Sequence, residues 1–459
     1  MVYQTALLVA DIVLLSGSFI ALYDSYNERE SRATTISLLA TIFHLTLGAA
    51  IYLSPTIQPI ATGYFGLVGL FLLVLLIPGK RNERALKGNR GYLVGDHKRV
   101  DERDIVFARH RLKAGTKEYE TYYKSHPESK EFDDKLRETG VLGTSRGIDK
   151  SPMNLAMMGA SFSIPGMVIP GIFGEPREGM VPPELSPEDA TRAVKEFALH
   201  LGACSVGVTM LDLQWAYSKR VEIRFNNWED WGKDIPELPK YALSFCVEMN
   251  YEHVQSAPHT PTVAESANGY ARGAYISTVL AQWFKNMGYR SVAQHTRNYD
   301  IVTTAVAVEA GLGEVGRLGY LITPKQGPRV RVFATLTDMP LLPDKPISFG
   351  VEEYCTNCKK CATTCPSKSI PDGDKTIHNG VEKWKLNAET CYEYWSQVGT
   401  DCGICMAVCS FGKPDTNLHR IVKWFIKRSP VARKIFPYFD DLMYGKQWKP
   451  RTPPKWLEY

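Results

Sequence analysis

Eight of the ten cysteines lie between Cys355 and Cys409, and their spacing constrains the fold more than any other feature of the chain. The first group reads C-x2-C-x2-C-x3-C and is followed by Pro366. This is the bacterial ferredoxin spacing, in which three thiolates hold one cubane cluster and the fourth reaches a second cluster. A second group, C-x2-C-x3-C, ends at Cys409, with Cys391 upstream of it. Eight thiolates suit two [4Fe–4S] clusters.

The crossing rule of such ferredoxins divides the cysteines into two sets. The expected ligands of the first cluster are Cys355, Cys358, Cys361 and Cys409, and those of the second are Cys365, Cys391, Cys402 and Cys405. Zinc is disfavoured because zinc sites usually come as two separated pairs. Cys204 and Cys246 lie in apolar segments, where a buried inert thiol is the ordinary interpretation. We therefore assign no role to these two.

Three apolar stretches, 7–23, 36–53 and 60–78, predict three transmembrane helices, because each is near the length that crosses about 30 Å of hydrocarbon. Short loops rich in Lys and Arg beside a transmembrane helix are typical of the cytoplasmic side. In this chain the basic residues that flank the apolar stretches are Arg29, Arg32, Lys80, Arg81, Arg84, Lys87 and Arg90. We therefore expect a multi-pass protein of the cell membrane, with its N-terminus outside and the rest facing the cytoplasm. No Lys or Arg precedes Arg29 and no twin-arginine pair occurs, so no export signal is expected.

Two ionisable residues fall inside these spans, Asp11 and His44. Such groups are candidates for function because their burial in lipid is costly. A hydrogen bond between helices is the simpler interpretation of His44, and one histidine cannot provide two axial haem ligands. A quinone or haem role is therefore the less favoured interpretation.

The rest of the 459-residue chain divides by composition into a linker and two further domains. Predicted helices (189–201, 273–287) alternate with predicted strands (205–211, 242–249, 330–336), which indicates an α/β domain. We expect a transmembrane anchor over 1–79, a charged helical linker over 80–150, the α/β domain over 151–347 and a ferredoxin-like module over 348–459. The net charge of +5 is mild and gives no case for binding nucleic acid.

Gly311, Gly313 and Gly316 form a G-x-G-x-x-G motif, with Asp338 at roughly the distance expected in a dinucleotide-binding fold. A lone match is weak evidence. The preceding residues, 302–310, read equally well as a helix, and a turn that holds another cofactor would need the same glycines. A nicotinamide site is thus disfavoured.

The chain resembles the corrinoid-dependent reductive dehalogenases over nearly all of residues 101–459. The resemblance is carried by the segments 101–104, 119–134, 310–317, 321–323, 327–331 and 344–346, together with both cysteine groups. It implies a nitroreductase-like α/β core that holds cobalamin and a ferredoxin-like module that delivers electrons to it. It also implies cleavage of the carbon–halogen bond of an organohalide. The corrinoid of this family is bound base-off, and the chain likewise lacks the D-x-H-x-x-G signature of proteins that supply a lower histidine.

The resemblance also implies a catalytic site. The proton-donor tyrosine of the family falls on Tyr270, its partner arginine on Arg331 and an active-site asparagine on Asn298. Trp395 matches an aromatic residue near the substrate, although packing against a cluster would equally explain it. Gly311, Gly313 and Gly316 become tentative cobalamin-binding positions.

One departure from the family concerns the membrane. Typical respiratory members carry a twin-arginine signal and use a separate anchor protein, whereas this chain has an apolar N-terminus of its own. A lipid bilayer is therefore an expected partner, and ferredoxin, flavodoxin and membrane quinol all remain as electron donors. Two other functions stay open: a non-catalytic electron-transfer subunit, and an enzyme like epoxyqueuosine reductase, which is soluble and uses a carboxylate as proton donor.

Overall fold

The computed structural model describes residues 2–144, 147–148, 151–221 and 228–457, and these form two compact units. The anchor unit comprises residues 1–81, 349–358 and 413–448, and the core unit comprises residues 82–348, 359–412 and 449–459. The four predicted domains remain a prediction. The boundary at 150 lies outside the described residues.

The helices and strands follow in chain order. The helices are α1 Val2–Asn27, α2 Ser31–Leu53, α3 Gln58–Leu75, α4 Val106–His110, α5 Lys117–Ser125, α6 Pro127–Thr139, α7 Pro152–Met167, α8 Pro187–His200, α9 Tyr251–Val254, α10 Thr260–Asn286, α11 Thr303–Glu309, α12 Val351–Cys358, α13 Lys360–Thr364, α14 Ala388–Val398, α15 Ile404–Ala407, α16 Asn417–Arg428 and α17 Pro430–Tyr444. The strands are β1 Phe173–Gly174, β2 Ser205–Met210, β3 Tyr241–Glu248, β4 Ser291–Gln294, β5 Glu314–Val315, β6 Leu321–Ile322, β7 Val330–Thr337, β8 Thr376–His378 and β9 Val381–Lys383.

The core unit is built on a five-stranded sheet of order β1-β4-β7-β3-β2. All four pairings in this sheet are antiparallel. Strand β3, which lies between β7 and β2, is buried along most of its length. Phe245 of β3 and Phe333 of β7 pack against α8 and α10 in one apolar cluster. The predicted mixed core of helices and strands is confirmed, and α10 is longer at its N-terminus than the predicted helix.

The predicted apolar helices of the N-terminus are confirmed as α1, α2 and α3. In the described residues four helices are long and apolar enough to cross a membrane, and the fourth spans Pro152–Gly171 and includes α7. Large apolar side chains are exposed along α1, α2 and α3, as in helices that face lipid. These helices indicate that the protein associates with a membrane.

Three polar residues of the first three helices contact one another. His44 of α2 is hydrogen-bonded through Nδ1 to a carboxylate oxygen of Asp11 on α1, at 2.8 Å, and both side chains are buried. The Oη of Tyr64 on α3 lies 3.4 Å from the other ring nitrogen of His44. These contacts join α1, α2 and α3, as predicted by the interpretation of His44 as a residue that forms hydrogen bonds between helices.

Candidate active site

Tyr270 lies on α10 and Arg331 on β7, and two glycines of α10 bring these elements together. A Cβ on Gly273 would lie 2.0 Å from the ring of Phe333, and one on Gly269 would lie 3.0 Å from Cγ of Arg331. Since helical residues four positions apart lie on one face, these glycines let α10 approach β7 closely. Tyr270 follows Gly269 directly and is thereby held beside the arginine.

Arg331 contacts Tyr270 in two ways. Its Nη1 donates a hydrogen bond to Oη of Tyr270 at 3.3 Å, and the guanidinium carbon lies 4.8 Å from the centre of the phenol ring. A guanidinium has donors only, so the phenol oxygen is the acceptor in this bond. The hydrogen of the Tyr270 hydroxyl is therefore available to another acceptor.

Asp401 and Ser266 hold the other end of the guanidinium. Nη2 of Arg331 lies 2.8 Å from Oδ2 of Asp401, and the hydroxyl of Ser266 is hydrogen-bonded to both side chains. Asp401 is contributed by the segment between two of the predicted cluster ligands, and Ser266 lies one helical turn before Tyr270. Neither Asp401 nor Ser266 could be predicted from the sequence, because these contacts join positions 65 to 135 residues apart.

Burial and neighbouring charges have opposite effects on the pKa values of Arg331 and Asp401. Burial opposes the charge of Arg331, but the phenol of Tyr270 and the carboxylate of Asp401 more than offset that effect and raise the pKa of the arginine. Burial raises the pKa of Asp401, and Arg331 and Ser266 limit the rise because they stabilise the carboxylate. The guanidinium beside Tyr270 is therefore permanently charged.

The substitution Asp401→Asn tests this support. It leaves the buried guanidinium without its charged partner, and we expect the free energy of unfolding to fall by about 3 kcal/mol. The measurement is the thermal unfolding of the purified protein. The matched control is Asp189→Asn, which breaks an exposed pair with Arg192 and should cost less than about 1 kcal/mol. Equal losses in the two variants would contradict a structural role for the buried pair.

Apolar rings enclose the phenol of Tyr270. Phe162 of α7 is stacked on it with ring centres 5.9 Å apart, and Phe333 meets it edge to face at 6.2 Å. Phe162 could not be assigned to the site from its sequence position, because a bare apolar residue in an apolar stretch is usually part of the core. Its place opposite a predicted catalytic tyrosine could be found only from the packing of α7 on α10.

The four cysteines predicted to hold the second cluster share one cavity in the core unit. Cys365, Cys391, Cys402 and Cys405 all line it. Burial raises the pKa of Cys391 to about 11 and of Cys402 to about 12, and that of Cys405 well above the ordinary range for a thiol. These three thiols ionise little by themselves, which fits a site where iron supplies the positive charge that thiolates need.

The cysteine cavity also reaches the arginine. Arg331 and Asp401 line the same cavity as the four cysteines, and so does Trp395. Trp395 lies one helical turn after Cys391 on α14, and its ring is 5.6 Å from that of Tyr392. Packing beside the cysteines, one of the two interpretations of Trp395, is thus observed.

The cysteines predicted for the first cluster are divided between the two units. Cys355 and Cys358 lie on α12 in the anchor unit, whereas Cys361 and Cys409 belong to the core unit. This ligand set is supported by the sequence spacing.

Asn298 is buried at a second, smaller cavity, which Asp300 also lines. Its Nδ2 donates a hydrogen bond to the carbonyl of Ala293 at 2.9 Å. Its Oδ1 is buried without a hydrogen-bond partner among the described residues. The catalytic role of Asn298 therefore remains a prediction.

The glycine motif follows a helix, α11, and not the strand that a dinucleotide-binding fold requires. Gly311 has a positive φ of 73°, and a Cβ there would lie 2.5 Å from the carbonyl oxygen of Lys345. A Cβ on Gly313 would lie 2.1 Å from that of Ile322, and the N–H of Gly316 bonds to Tyr320 at 3.1 Å. Close backbone packing thus explains Gly311 and Gly313 without a nicotinamide cofactor, and the cobalamin-binding role of the three glycines remains a prediction.

The cysteine module matches the family model of the 4Fe–4S dicluster domain over residues 354–413. The chain is 36% identical over 297 residues to the tetrachloroethene reductive dehalogenase of Sulfurospirillum multivorans, covering 58% of this chain and 59% of the relative. It is 32% identical over 299 residues to that of Desulfitobacterium hafniense, covering 56% and 54%. The chain thus spans a little over half the length of these curated relatives.

A solved structure of a catabolic reductive dehalogenase, NpRdhA, is also similar to this fold. It superposes with a TM-score of 0.61 at 26% identity and covers 78% of this chain and 49% of that chain. Together with the curated relatives, this match confirms the predicted resemblance.

Proposed function

We propose that this homologue of the reductive dehalogenases is a membrane-anchored enzyme that replaces the halogen of an organohalide by hydrogen, with cobalamin and two [4Fe–4S] clusters. The observation that carries the proposal is the cavity that Arg331 shares with four cysteines. Arg331 is bonded in turn to Tyr270. The residues proposed as proton donor, as its electrostatic partner and as ligands of an electron-transfer centre therefore lie together in the core unit.

The reaction consumes an organohalide, two electrons and one proton and yields the reduced carbon compound and a halide ion. Cobalamin, when bound, supplies the low-potential cobalt that breaks the carbon–halogen bond. The carbon fragment left by the departing halide takes its proton from a general acid. Tyr270 gives this proton, and the guanidinium at 3.3 Å stabilises the phenolate that remains.

The site has polar and apolar features that fit a bound cofactor and substrate. Nε of Arg331 and Oδ1 of Asp401 are buried without a hydrogen-bond partner among the described residues, so a bound molecule can satisfy them. Phe162 and Trp395 supply the flat apolar walls that suit a halogenated organic molecule. Asn298 is a further candidate for contact with the substrate.

Electrons arrive one at a time through the cysteine module, as two clusters at ferredoxin spacing require. The donor is a low-potential carrier such as ferredoxin or flavodoxin, or a membrane quinol. The corrinoid is bound base-off, as in the enzymes that the chain resembles. Nucleic acid has no part in this function.

The first three helices cross the bilayer, and the cytoplasmic side carries the basic flanks. Within the anchor unit, Nε of Arg32 at the start of α2 donates to the carbonyl of Leu442 on α17, at 2.7 Å. The N–H of Gly79, just after α3, donates to the carbonyl of Arg428 at 2.7 Å. The C-terminal helices α16 and α17 are thus held at the end of the bundle that carries Arg29, Arg32, Lys80 and Arg81. By the positive-inside rule, that end faces the cytoplasm.

Halide release tests this function. Membranes that contain the full chain, supplied with cobalamin and a chemical one-electron reductant, are given chlorinated and brominated compounds under anaerobic conditions. We expect halide ion and the hydrogenated product in equal amounts. Membranes with the variant Cys405→Ala are the control and should release none. No halide from a cofactor-loaded preparation across the panel would overturn the proposal.

A further inference from the structure

We propose that α16 and α17 form a second membrane contact, which lies flat in the headgroup layer and binds anionic lipid. The inference goes beyond dehalogenation and rests on the membrane attachment of the anchor unit. Its first support is position. The carbonyl of Arg428, the last residue of α16, accepts the N–H of Gly79, only four residues beyond the end of α3 at Leu75. The junction of α16 and α17 is therefore held where the third apolar helix leaves the hydrocarbon.

α17 is fixed to the same end of the bundle. The carbonyl of Leu442 is bonded to Arg32, the second residue of α2, at 2.7 Å. The ring of Phe439 lies 6.4 Å from that of Phe71 near the end of α3. α17 is thus held against the first residues of α2 and the last residues of α3. It therefore lies across this end of the bundle, at the level of the lipid headgroups.

The inner face of α16 is already occupied by polar contacts. His419 is buried, and its Nε2 lies 3.1 Å from a carboxylate oxygen of Glu28, in the turn between α1 and α2. The backbone N–H of Leu418 donates to Asp24 at 3.0 Å. These bonds leave the opposite face of the helix directed away from the bundle.

That outer face has the composition of a helix that lies in a membrane interface. Ile421 and Trp424 are 53% and 42% exposed, and Lys427 and Arg428 follow at helical spacing on the same face. The guanidinium of Arg428 lies 4.3 Å from the ring of Trp424. Tryptophan and long basic side chains are typical of the interface, where the apolar part enters the acyl region and the charge stays at the headgroups.

α17 extends the exposed apolar surface of α16. The basic residues of the two helices indicate which kind of lipid they contact. Tyr438 is 76% exposed, and Phe439 and Leu442 beside it are exposed as well. From Arg420 to Lys434 the chain has six Lys or Arg and no acidic residue, and of these six only Arg433 is buried; Asp440 and Asp441 follow further along α17. Such a basic cluster beside transmembrane segments attracts anionic headgroups of the cytoplasmic leaflet. The occupant of this surface is therefore an anionic bilayer rather than a soluble protein.

Photocrosslinking in lipid nanodiscs tests the contact. The full chain is prepared with the photoreactive amino acid p-benzoylphenylalanine in place of Trp424, or in place of Tyr438, in discs of equal phosphatidylglycerol and phosphatidylcholine. The matched control is each preparation kept in the dark, which should give no adduct. We expect lipid adducts at both positions after irradiation, with phosphatidylglycerol enriched over phosphatidylcholine. Iron content shows that each preparation is folded.

The double variant Lys427→Gln and Arg428→Gln should lower the phosphatidylglycerol enrichment by up to about fivefold for each cation removed. Adducts to protein, or no lipid adduct at either position in iron-loaded protein, would overturn the proposal. Equal labelling by the two lipids would overturn the anionic preference. Halide release is measured on the same discs. A failure of lipid contact with intact halide release leaves the dehalogenase function standing, and the reverse result leaves the membrane contact standing.

Discussion

The substitution Tyr270→Phe is expected to lower the rate of halide release by about 10²- to 10⁴-fold, the range typical for removal of a general acid. The change deletes one oxygen atom and keeps the ring that stacks on Phe162. Iron and cobalt content should therefore stay at wild-type levels. The measurement is the initial rate of halide release by cofactor-loaded protein at neutral pH.

The matched control is Tyr275→Phe. Tyr275 lies on the same helix, but its side chain is exposed, so its loss should leave the rate unchanged. Wild-type turnover by the Tyr270→Phe variant with both cofactors present would remove Tyr270 from the mechanism. A rate loss with lost cobalt would assign the tyrosine to cofactor retention instead.

The variant Cys405→Ala is expected to reduce bound iron from about eight to about four atoms per chain, because it removes one ligand of one [4Fe–4S] cluster. Cys365→Ala should give the same loss and abolish the same electron paramagnetic resonance signal, since the two cysteines line one cavity. Cys409→Ala should abolish the other signal.

Cys204→Ser is the control for the loss of a thiol. Burial raises the pKa of Cys204 to about 11, and we assign it no ligand role, so iron should remain near the wild-type amount. If Cys365→Ala and Cys405→Ala removed different signals, the crossed ligand sets would be wrong.

Local spacing made the metal-binding part of this protein predictable. The predicted cysteine ligands lie close in sequence, so the family of the module follows from the intervals between them alone. The apolar helices were equally predictable, because a run of about twenty apolar residues rarely forms any other structure. The resemblance to a known family supplied Tyr270 and Arg331, which composition and periodicity do not distinguish from ordinary polar residues.

The rest of the site could not be read from the sequence because it depends on contacts between distant segments. Asp401 reaches Arg331 across 70 positions, and nothing in its local sequence marks it. Phe162 acquires its place only when α7 packs on α10. Gly269 and Gly273 likewise carry no motif, and their effect on the approach of α10 to β7 is visible only in three dimensions.

The most direct test of the account is the number of iron and cobalt atoms per chain after anaerobic purification and reconstitution with cobalamin. We predict about eight irons and about one cobalt, with the absorption spectrum of a base-off corrinoid. Iron in this amount without cobalt would contradict the account and identify the chain as an electron-transfer subunit.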